Sequence, residues 1–369
     1  MNVTVLGGGN GGFATAADLA LNGHRVRLWR RTDTELDAIR GSGGITLIAE
    51  VGQSTGRLDA ATANLDDALA GAEVVVVAVP ATAHDDIALA LGKRLTPAQI
   101  VLLTPGTLGA FTAARDIARA GGTLPLAFAE TGTLPYLARK TAPATVAVPV
   151  RAANLPVGVF PASRTDEVVV RLGGLYPTLR PCVDVLDVAL TNAGTVIHPP
   201  LVLLNTGAID GGRFDIHAAG TTQSVRRLID AVDAERLAAR RGWGYPKPDY
   251  ELATYYDEAR AHEGLYGAGA KARLVASGLW SEVLTFEHRY VTEDAALGLA
   301  LLESAARTIG AATPATGGLL HLFGVLLGRQ LLGRGRALEH VGLGDLAVRE
   351  IRTLLHEGWT SPMWSRILR

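Results

Sequence analysis

The sequence predicts a protein of the α/β class, with a doubly wound parallel sheet in its first half and mostly helices in its second. Three observations support this prediction. A strand, a glycine-rich turn, a helix and another strand follow one another before residue 30. Strand and helix patterns then alternate, as in a parallel sheet covered by helices on both faces. Beyond residue 186 helical periodicity dominates, so we expect a Rossmann-type domain over residues 1–185 and a helical domain over residues 186–369.

The first turn carries a G-x-G-x-x-G pattern between a strand over residues 3–6 and a helix over residues 14–21, and its members are Gly7, Gly9, Asn10, Gly11 and Gly12. In this context the first glycine allows a tight turn, the second lets a pyrophosphate approach the backbone, and the third lets helix and strand pack closely. The free N–H groups at the start of the helix then face the phosphates. The sequence therefore predicts a dinucleotide site, and the alternative is a glycine-rich turn without a ligand.

The second strand, over residues 25–29, is followed by Arg30, Arg31 and Thr32. Sites selective for NAD usually carry an acid here that binds the ribose 2′-hydroxyl, whereas guanidinium groups suit a 2′-phosphate. We therefore favour NADPH or NADP as the cofactor, with NADH or NAD also possible. The alternative is that the arginines only precede a helix that starts at Thr32 or Asp33.

Further strands are predicted over residues 73–79, 99–103, 126–129, 145–150, 157–160 and 182–185, with helices to about residues 91 and 118 and over residues 165–172. In such sheets ligands bind outside the carboxyl ends of the strands. Pro80, Pro105, Gly106 and Glu130 follow strands at that edge, so we expect them near the cofactor. The alternative for the two prolines is that they only end their strands. In the second half, helices are predicted over residues 201–204, 225–240, 272–284, 297–309, 319–332 and 346–356.

The bulk composition excludes several classes of protein. A net charge of −1 argues against a nucleic acid or an anionic membrane as the main partner. Cys182 is the single cysteine, which excludes an internal disulfide and a cysteine-rich metal site, and no metal site of another kind is predicted. Because the first strand begins at Asn2 or Val3, we expect no signal peptide, and the apolar stretch 319–332 is too short and interrupted to span a membrane. A cytoplasmic location is expected.

Two stretches in the second half carry candidate catalytic groups. His198 stands directly before two prolines, which restrict its backbone, and we expect it just before a helix that starts at Leu201. An imidazole beside a nicotinamide ring can act as a general acid and base, and the alternative is a histidine of the core or of a helix cap. Residues 286–294 combine His, Arg, Tyr and acids. Asp294 can orient and stabilise the imidazolium, or this stretch is only a solvated helix start.

The ordered set of motifs resembles the opine dehydrogenases of the octopine/nopaline dehydrogenase type over nearly the whole chain. The matching pieces are residues 7–12, 79–84, 104–106, 130–136, 197–200 with 204–207, 233–236, 288–290 and 293–294. The resemblance implies an NAD(P)H-dependent reductive condensation in which the amine of an amino acid joins a 2-oxo acid and the imine is reduced to a secondary amine. His198 and Asp294 match the family's acid–base pair, and His84 lies in a piece that matches near the cofactor.

The resemblance is weaker for the residues that bind substrate. The family often has an asparagine four residues before the catalytic histidine, where this chain has Gly194, and Asn192 lies two residues further upstream. Either Asn192 takes that role or a polar contact with the substrate is missing. The candidates that remain for substrate binding are Asn205, Arg139, Tyr266 and Arg289, of which the arginines suit a carboxylate.

Two alternatives to this activity stay open. One is a 2-hydroxyacid or alcohol dehydrogenase of the ketopantoate or glycerol-3-phosphate dehydrogenase type, although such enzymes commonly bring a catalytic lysine and no lysine here lies in a matching motif. The other is a dinucleotide-binding homologue without catalysis, which only the Gly194 departure supports. A homodimer is possible.

Overall fold

The structure is a computed structural model, which describes residues 1–212, 214–279 and 283–369. The first half alternates strands and helices: β1 Asn2–Leu6, α1 Asn10–Leu21, β2 Arg25–Trp29, α2 Leu36–Ser42, β3 Gly44–Ala49, β4 Gly52–Arg57, β5 Ala60–Thr62, α3 Leu65–Leu69, β6 Val74–Val77, α4 His84–Leu91, β7 Ile100–Leu103, α5 Gly109–Arg119, β8 Ala127–Thr131, β9 Tyr136–Ala142, β10 Thr145–Arg151, β11 Leu155–Phe160, α6 Thr165–Gly173 and β12 Leu179–Pro181.

The described part of the second half is helical: α7 Val185–Ala189, α8 Ala193–Leu203, α9 Thr206–Asp210, α10 Gln223–Gly242, α11 Ala270–Ala276, α12 Ala300–Thr308, α13 Pro314–Leu326, α14 Val348–Glu357 and α15 Trp364–Ile367. A π-helix, Tyr290–Leu299, runs directly into α12. Within the described ranges, none of the helices is long and apolar enough to cross a membrane.

The main sheet has the strand order β12-β11-β8-β7-β6-β1-β2-β5, and its neighbours run parallel except for the antiparallel pair β8 and β11. β6 and β7 are buried throughout, because helices cover both faces of a doubly wound sheet. The chain proceeds from β1 to β2 on one side and returns to β6 on the other, so the topological switch point lies between β1 and β6. The predicted fold class is confirmed, and sheets of this class bind their ligands at the switch point.

The glycine-rich turn holds α1 tightly against β1. A Cβ atom on Gly12 would lie 1.9 Å from the carbonyl oxygen of Gly7, and Gly7 itself has a φ of +132°. Both positions therefore exclude other residues, as the packing role of the motif requires.

A second sheet has the order β4-β3-β10-β9 and packs over α1. β10 was predicted as a strand, whereas β9 and the existence of a separate second sheet were not predicted. β9 lies beside the glycine-rich turn, because the backbone N–H of Lys140 on this strand donates to Asn10 Oδ1 at 2.9 Å.

Several predicted boundaries were wrong. The last strand is Leu179–Pro181 instead of residues 182–185, because Asp184 caps α7 by accepting from the N–H groups of Leu186 and Asp187. The helix after Arg31 starts at Leu36 and not at Thr32 or Asp33. α11 ends at Ala276, and part of the predicted helix 272–284 lies outside the described residues. α13 begins at Pro314 and ends at Leu326, shortly before Gly328 with its φ of +61°.

The last part of the chain returns to the first domain. Arg119 of α5 donates to the carbonyl oxygen of Ile367 at 2.6 Å, and the Phe160 and Trp364 rings pack with centroids 5.7 Å apart. These contacts cover a face of the main sheet with helices from the second half. The boundary near residue 185 stays a prediction.

Candidate active site

The two predicted catalytic side chains contact each other. His198 on α8 and Asp294 on the π-helix are 2.7 Å apart between Nδ1 and Oδ2. The imidazole is 21% exposed and the carboxylate 4%, so the pair is shielded but one side of the ring remains accessible. The expectation that His198 precedes a helix was wrong, because α8 starts at Ala193 and carries Pro199 and Pro200 inside it.

Small residues allow α8 to approach the π-helix this closely. A Cβ atom on Gly298 would lie 2.1 Å from Oγ1 of Thr195, one turn from the catalytic pair. A Cβ atom on Gly194 would lie 2.8 Å from Oδ1 of Asp294 and 3.3 Å from Nδ1 of His198. Gly194, the residue that departs from the family pattern, therefore has no side chain where the Asp294 carboxylate lies.

Aromatic rings fix the plane of the His198 imidazole. The Tyr290 ring stacks on it, with centroids 3.5 Å apart and planes 14° apart. His217 contacts the Tyr290 hydroxyl at 3.0 Å through Nε2, and His288 packs edge-on against the Tyr290 ring. The stacking restricts rotation of the imidazole, so Nδ1 stays directed at Asp294.

Burial sets the charge state of the pair. Desolvation lowers the pKa of His198 below its ordinary value, and the Asp294 carboxylate partly opposes this shift. The ring is therefore neutral near pH 7, with its proton on Nδ1 facing the carboxylate and Nε2 as an acceptor. The neighbouring Glu293 is also buried, which raises its pKa to about 7 although Arg289 opposes the shift.

A cavity of about 720 Å³ connects this pair to the dinucleotide domain. Asn10 at the start of α1, Pro105 after β7, and Arg139 on β9 line it together with His198 and Asp294. The second half contributes an apolar and aromatic wall, which includes Leu252, Tyr255, Tyr266, Leu265 and Leu274. The catalytic pair therefore opens into the space between the two halves of the chain.

The glycine-rich turn fits a pyrophosphate. α1 has no side-chain cap at Gly9, and a Cβ atom there would meet nothing within 4 Å, so the backbone at this point borders open space. The turn lies at the carboxyl end of β1, beside the switch point. Accessible N–H groups and the positive end of the α1 dipole make this a place for phosphates.

The basic residues after β2 lie over the glycine-rich turn. The Arg30 side chain packs on Gly8, because a Cβ atom there would lie 2.8 Å from Arg30 Nε. Arg31 and Thr32 are exposed. Glu35 and Lys140 were not predicted for this site, and Glu35 contacts both Arg30 and Lys140. A carboxylate soon after β2 was a usable signal for Glu35, whereas nothing in the sequence connects β9 with this turn.

Other residues predicted near the cofactor have different surroundings. Pro80 is exposed after β6, and Pro105 lines the cavity. Gly106 packs against Glu130, whose buried carboxylate accepts from the N–H groups of Leu108 and Ala110 at 2.8 and 2.7 Å.

His84 is 1% exposed, and burial lowers its pKa to about 3. The side chains of Glu130 and His84 do not line the cavity.

Of the candidate substrate-binding residues, four line the cavity and one does not. Arg139, Tyr266 and Arg289 line the cavity, and Tyr266 contacts the Thr133 hydroxyl at 2.6 Å. Asn192 lines it too, while its Oδ1 accepts from the Gly194 N–H at 2.9 Å and caps α8. Asn205 instead donates to the carbonyl oxygens of Leu201 and Gly220, so its amide stabilises the backbone outside the cavity wall.

Comparisons with protein families divide the chain between two models. A model described as NAD/NADP octopine/nopaline dehydrogenase, alpha-helical domain, matches residues 181–327. A model described as NAD-dependent glycerol-3-phosphate dehydrogenase N-terminus matches residues 2–109, the dinucleotide-binding part alone.

Comparisons with whole proteins extend over both halves. The chain is 29% identical to the opine dehydrogenase of Arthrobacter sp. (strain 1C), over 95% of this chain and 97% of that relative. It is similar in structure to octopine dehydrogenase in complex with NADH and agmatine, with a TM-score of 0.70 and 20% identity over 96% of this chain and 98% of the other. A yersinopine dehydrogenase with NADP+ bound gives a TM-score of 0.62 and 14% identity over 98% and 99%.

Proposed function

This chain belongs to the octopine/nopaline dehydrogenase family, and we propose that it catalyses the reductive condensation of an amino acid with a 2-oxo acid, or the reverse. It is an NAD(P)-dependent oxidoreductase of the class acting on CH–NH bonds. The observation that carries the proposed reaction is the pairing of His198 with Asp294 at 2.7 Å, in a cavity that also contains Asn10 of the glycine-rich turn.

The first role of His198 is to move protons during imine formation. Nε2 accepts a proton from the amine as its nitrogen attacks the carbonyl carbon of the oxo acid. The resulting imidazolium returns this proton to the former carbonyl oxygen, which gives the carbinolamine. Nε2 then takes a second proton from solvent and donates it to the hydroxyl, which leaves as water and gives the protonated imine. Asp294 holds the ring in the required tautomer and stabilises the positive charge. When bound, the dinucleotide supplies the hydride that reduces the imine carbon.

We propose that Arg139 and Arg289 bind the carboxylates of the two substrates. Both line the cavity, Arg139 from the first half of the chain and Arg289 from the second, and guanidinium groups bind carboxylates in a bidentate manner. Glu293 contacts Arg289 at 3.3 Å and stabilises its orientation. Tyr266 and Asn192 supply further polar contacts to the same cavity.

For the cofactor we propose NADPH over NADH. Arg30 lies against the glycine-rich turn, and the exposed Arg31 and Thr32 follow it at the carboxyl end of β2. A 2′-phosphate bound there gains charge-assisted hydrogen bonds that a 2′-hydroxyl does not form.

The proposed function is tested by screening amino acids against 2-oxo acids with NADPH and with NADH. Cofactor oxidation that requires both substrates supports the condensation. Oxidation at an equal rate with the oxo acid alone indicates the hydroxyacid dehydrogenase alternative. Cofactor binding without turnover on any pair indicates a homologue without catalysis. A cytoplasmic location and a homodimer stay predictions.

A further inference from the structure

We propose that Glu35 reduces the preference of this chain for NADPH over NADH, because its own carboxylate occupies the place where a 2′-phosphate binds. Glu35 lies six residues beyond the end of β2, past the position where an NAD-selective acid is expected. The proposal rests on the dinucleotide site of the proposed function and not on the reaction.

The first step is the arrangement of charges. Glu35 Oε2 lies 2.5 Å from Nη1 of Arg30 and 2.8 Å from Nζ of Lys140, and its Oε1 lies 3.0 Å from the same Nζ. These two cations lower the pKa of Glu35, so the carboxylate is ionised at neutral pH. The Glu35 carboxylate therefore lies between two cations, Arg30 directly after β2 of the main sheet and Lys140 on β9 of the second sheet.

The second step is the position of this cluster. Lys140 Nζ also donates to the carbonyl oxygen of Gly8 at 3.1 Å, and the Arg30 side chain packs on Gly8. The cluster thus lies directly over the glycine-rich turn at the carboxyl ends of β1 and β2, on the side of the turn where the adenosine ribose of a dinucleotide lies. The side chains of Arg30, Glu35 and Lys140 are 17%, 37% and 26% exposed, so a ligand reaches them.

The third step is the competition that follows. A phosphate monoester carries more charge than a carboxylate and has three acceptor oxygens, so it binds Arg30 and Lys140 more strongly than Glu35 does. Its binding must displace Glu35 into solvent, which reduces the net gain from the 2′-phosphate. A dinucleotide without that phosphate leaves Glu35 in place, where the carboxylate accepts a hydrogen bond from the 2′-hydroxyl. Glu35 therefore reduces the difference in binding affinity between NADPH and NADH.

The test measures binding of 2′,5′-ADP and of ADP to the full chain by isothermal titration calorimetry, without turnover. In Glu35→Gln the ratio of the ADP dissociation constant to that of 2′,5′-ADP should rise about tenfold, since the competing anion is lost. Lys140→Met should lower the ratio. Asp37→Asn is the matched control, because Asp37 is an exposed acid on the adjacent α2 that pairs with Arg40 at 3.1 Å.

Glu35→Asp keeps the charge but shortens the side chain, so it should raise the ratio by a smaller factor, and it serves if Glu35→Gln does not fold. An unchanged or lower ratio in either folded variant overturns the proposal, since Glu35 would then only orient Arg30. These ligands bind whether or not the chain condenses amino acids with oxo acids. Failure of the proposed reaction is therefore distinguishable from failure of this inference.

Discussion

A Cβ atom on Gly194 would lie 2.8 Å from Oδ1 of Asp294, so a side chain at residue 194 would collide with the Asp294 carboxylate. The absence of an asparagine at this position was the main departure from the family pattern. The structure gives a physical reason for it, because the Asp294–His198 pair packs directly against the Gly194 backbone. Asn192 also lies close to this position, with its Oδ1 3.2 Å from a Cβ atom on Gly194, and it lines the cavity and caps α8.

Gly194→Ala should therefore impair catalysis without affecting the dinucleotide. The added methyl group displaces the Asp294 carboxylate from His198, and we expect kcat to fall at least about tenfold, with an unchanged dissociation constant for NADPH. Gly207→Ala is the matched control, because a Cβ atom there meets nothing within 4 Å. Activity of Gly194→Ala equal to that of Gly207→Ala would show that the pair tolerates displacement.

Removing the imidazole tests the central role in the proposed reaction. His198→Ala should lower kcat by at least about 10², because proton transfer to and from the carbinolamine loses its donor. Cofactor affinity should not change, since His198 lies on α8 and not on the glycine-rich turn. His321→Ala, on the exposed surface of α13, is the control. Turnover of His198→Ala at the control's rate would remove this residue from the mechanism.

The pH dependence should follow the neutral form of His198. Burial lowers its pKa, so the base form persists below the ordinary value of 6.5, and the acid limb of kcat/KM should lie below pH 6.5 where a base is required. Because the Asp294 charge raises this pKa, Asp294→Asn should move the limb to still lower pH and reduce the rate. A shift of the acid limb to higher pH in Asp294→Asn would contradict this expectation.

Glu293 is the nearby group whose titration could be confused with that of His198, since its pKa is raised to about 7. The variant Glu293→Gln removes this second titration. If His198 controls the acid limb, the limb stays in place in this variant, even where KM changes through the contact between Glu293 and Arg289. Loss of the limb in Glu293→Gln would assign it to the carboxyl group.

Much of the fold follows from local patterns, since the β1 and β6 runs, the glycine-rich turn and the helices of the second half are visible in the residues themselves. The pairing of His198 with Asp294 followed from the family pattern. The second sheet did not follow, because β9 has no strong alternation and because β10 pairs with β3, which lies far away in the sequence. Lys140 on β9 was missed for the same reason, whereas Glu35 had a usable signal as an acid soon after β2.

The side chains of His84 and Glu130 show a second reason why the sequence did not predict the whole site. Both lie in stretches that match the family or follow a strand, yet tertiary packing buries them under α5 and away from the cavity. A sequence pattern locates such residues at the correct edge of the sheet. It does not show whether the side chain faces the ligand or packs inside the protein and stabilises a loop that faces the ligand.

The arginines after β2 should determine affinity for NADPH. We expect the double variant Arg30→Ala, Arg31→Ala to weaken NADPH binding far more than NADH binding, because only NADPH carries the 2′-phosphate. Fluorescence titration with each cofactor measures both constants. Arg25→Ala is the control, since Arg25 starts β2 at the opposite edge of the sheet and pairs with Asp59. Equal losses for the two cofactors would contradict the 2′-phosphate role.

The last prediction concerns stability. Arg240 of α10 is 1% exposed, and its Nη1 and Nε lie 2.6 Å and 3.5 Å from carboxylate oxygens of Asp187 and Asp249. Arg240→Ala leaves these buried carboxylates without their cation, so the free energy of unfolding should fall by about 3–5 kcal/mol. Urea unfolding followed by circular dichroism measures the change. The neighbouring Arg241 is exposed, and Arg241→Ala should change stability by less than about 1 kcal/mol. Equal stabilities of the two variants would show that the buried cluster does not stabilise the junction of α7 and α10.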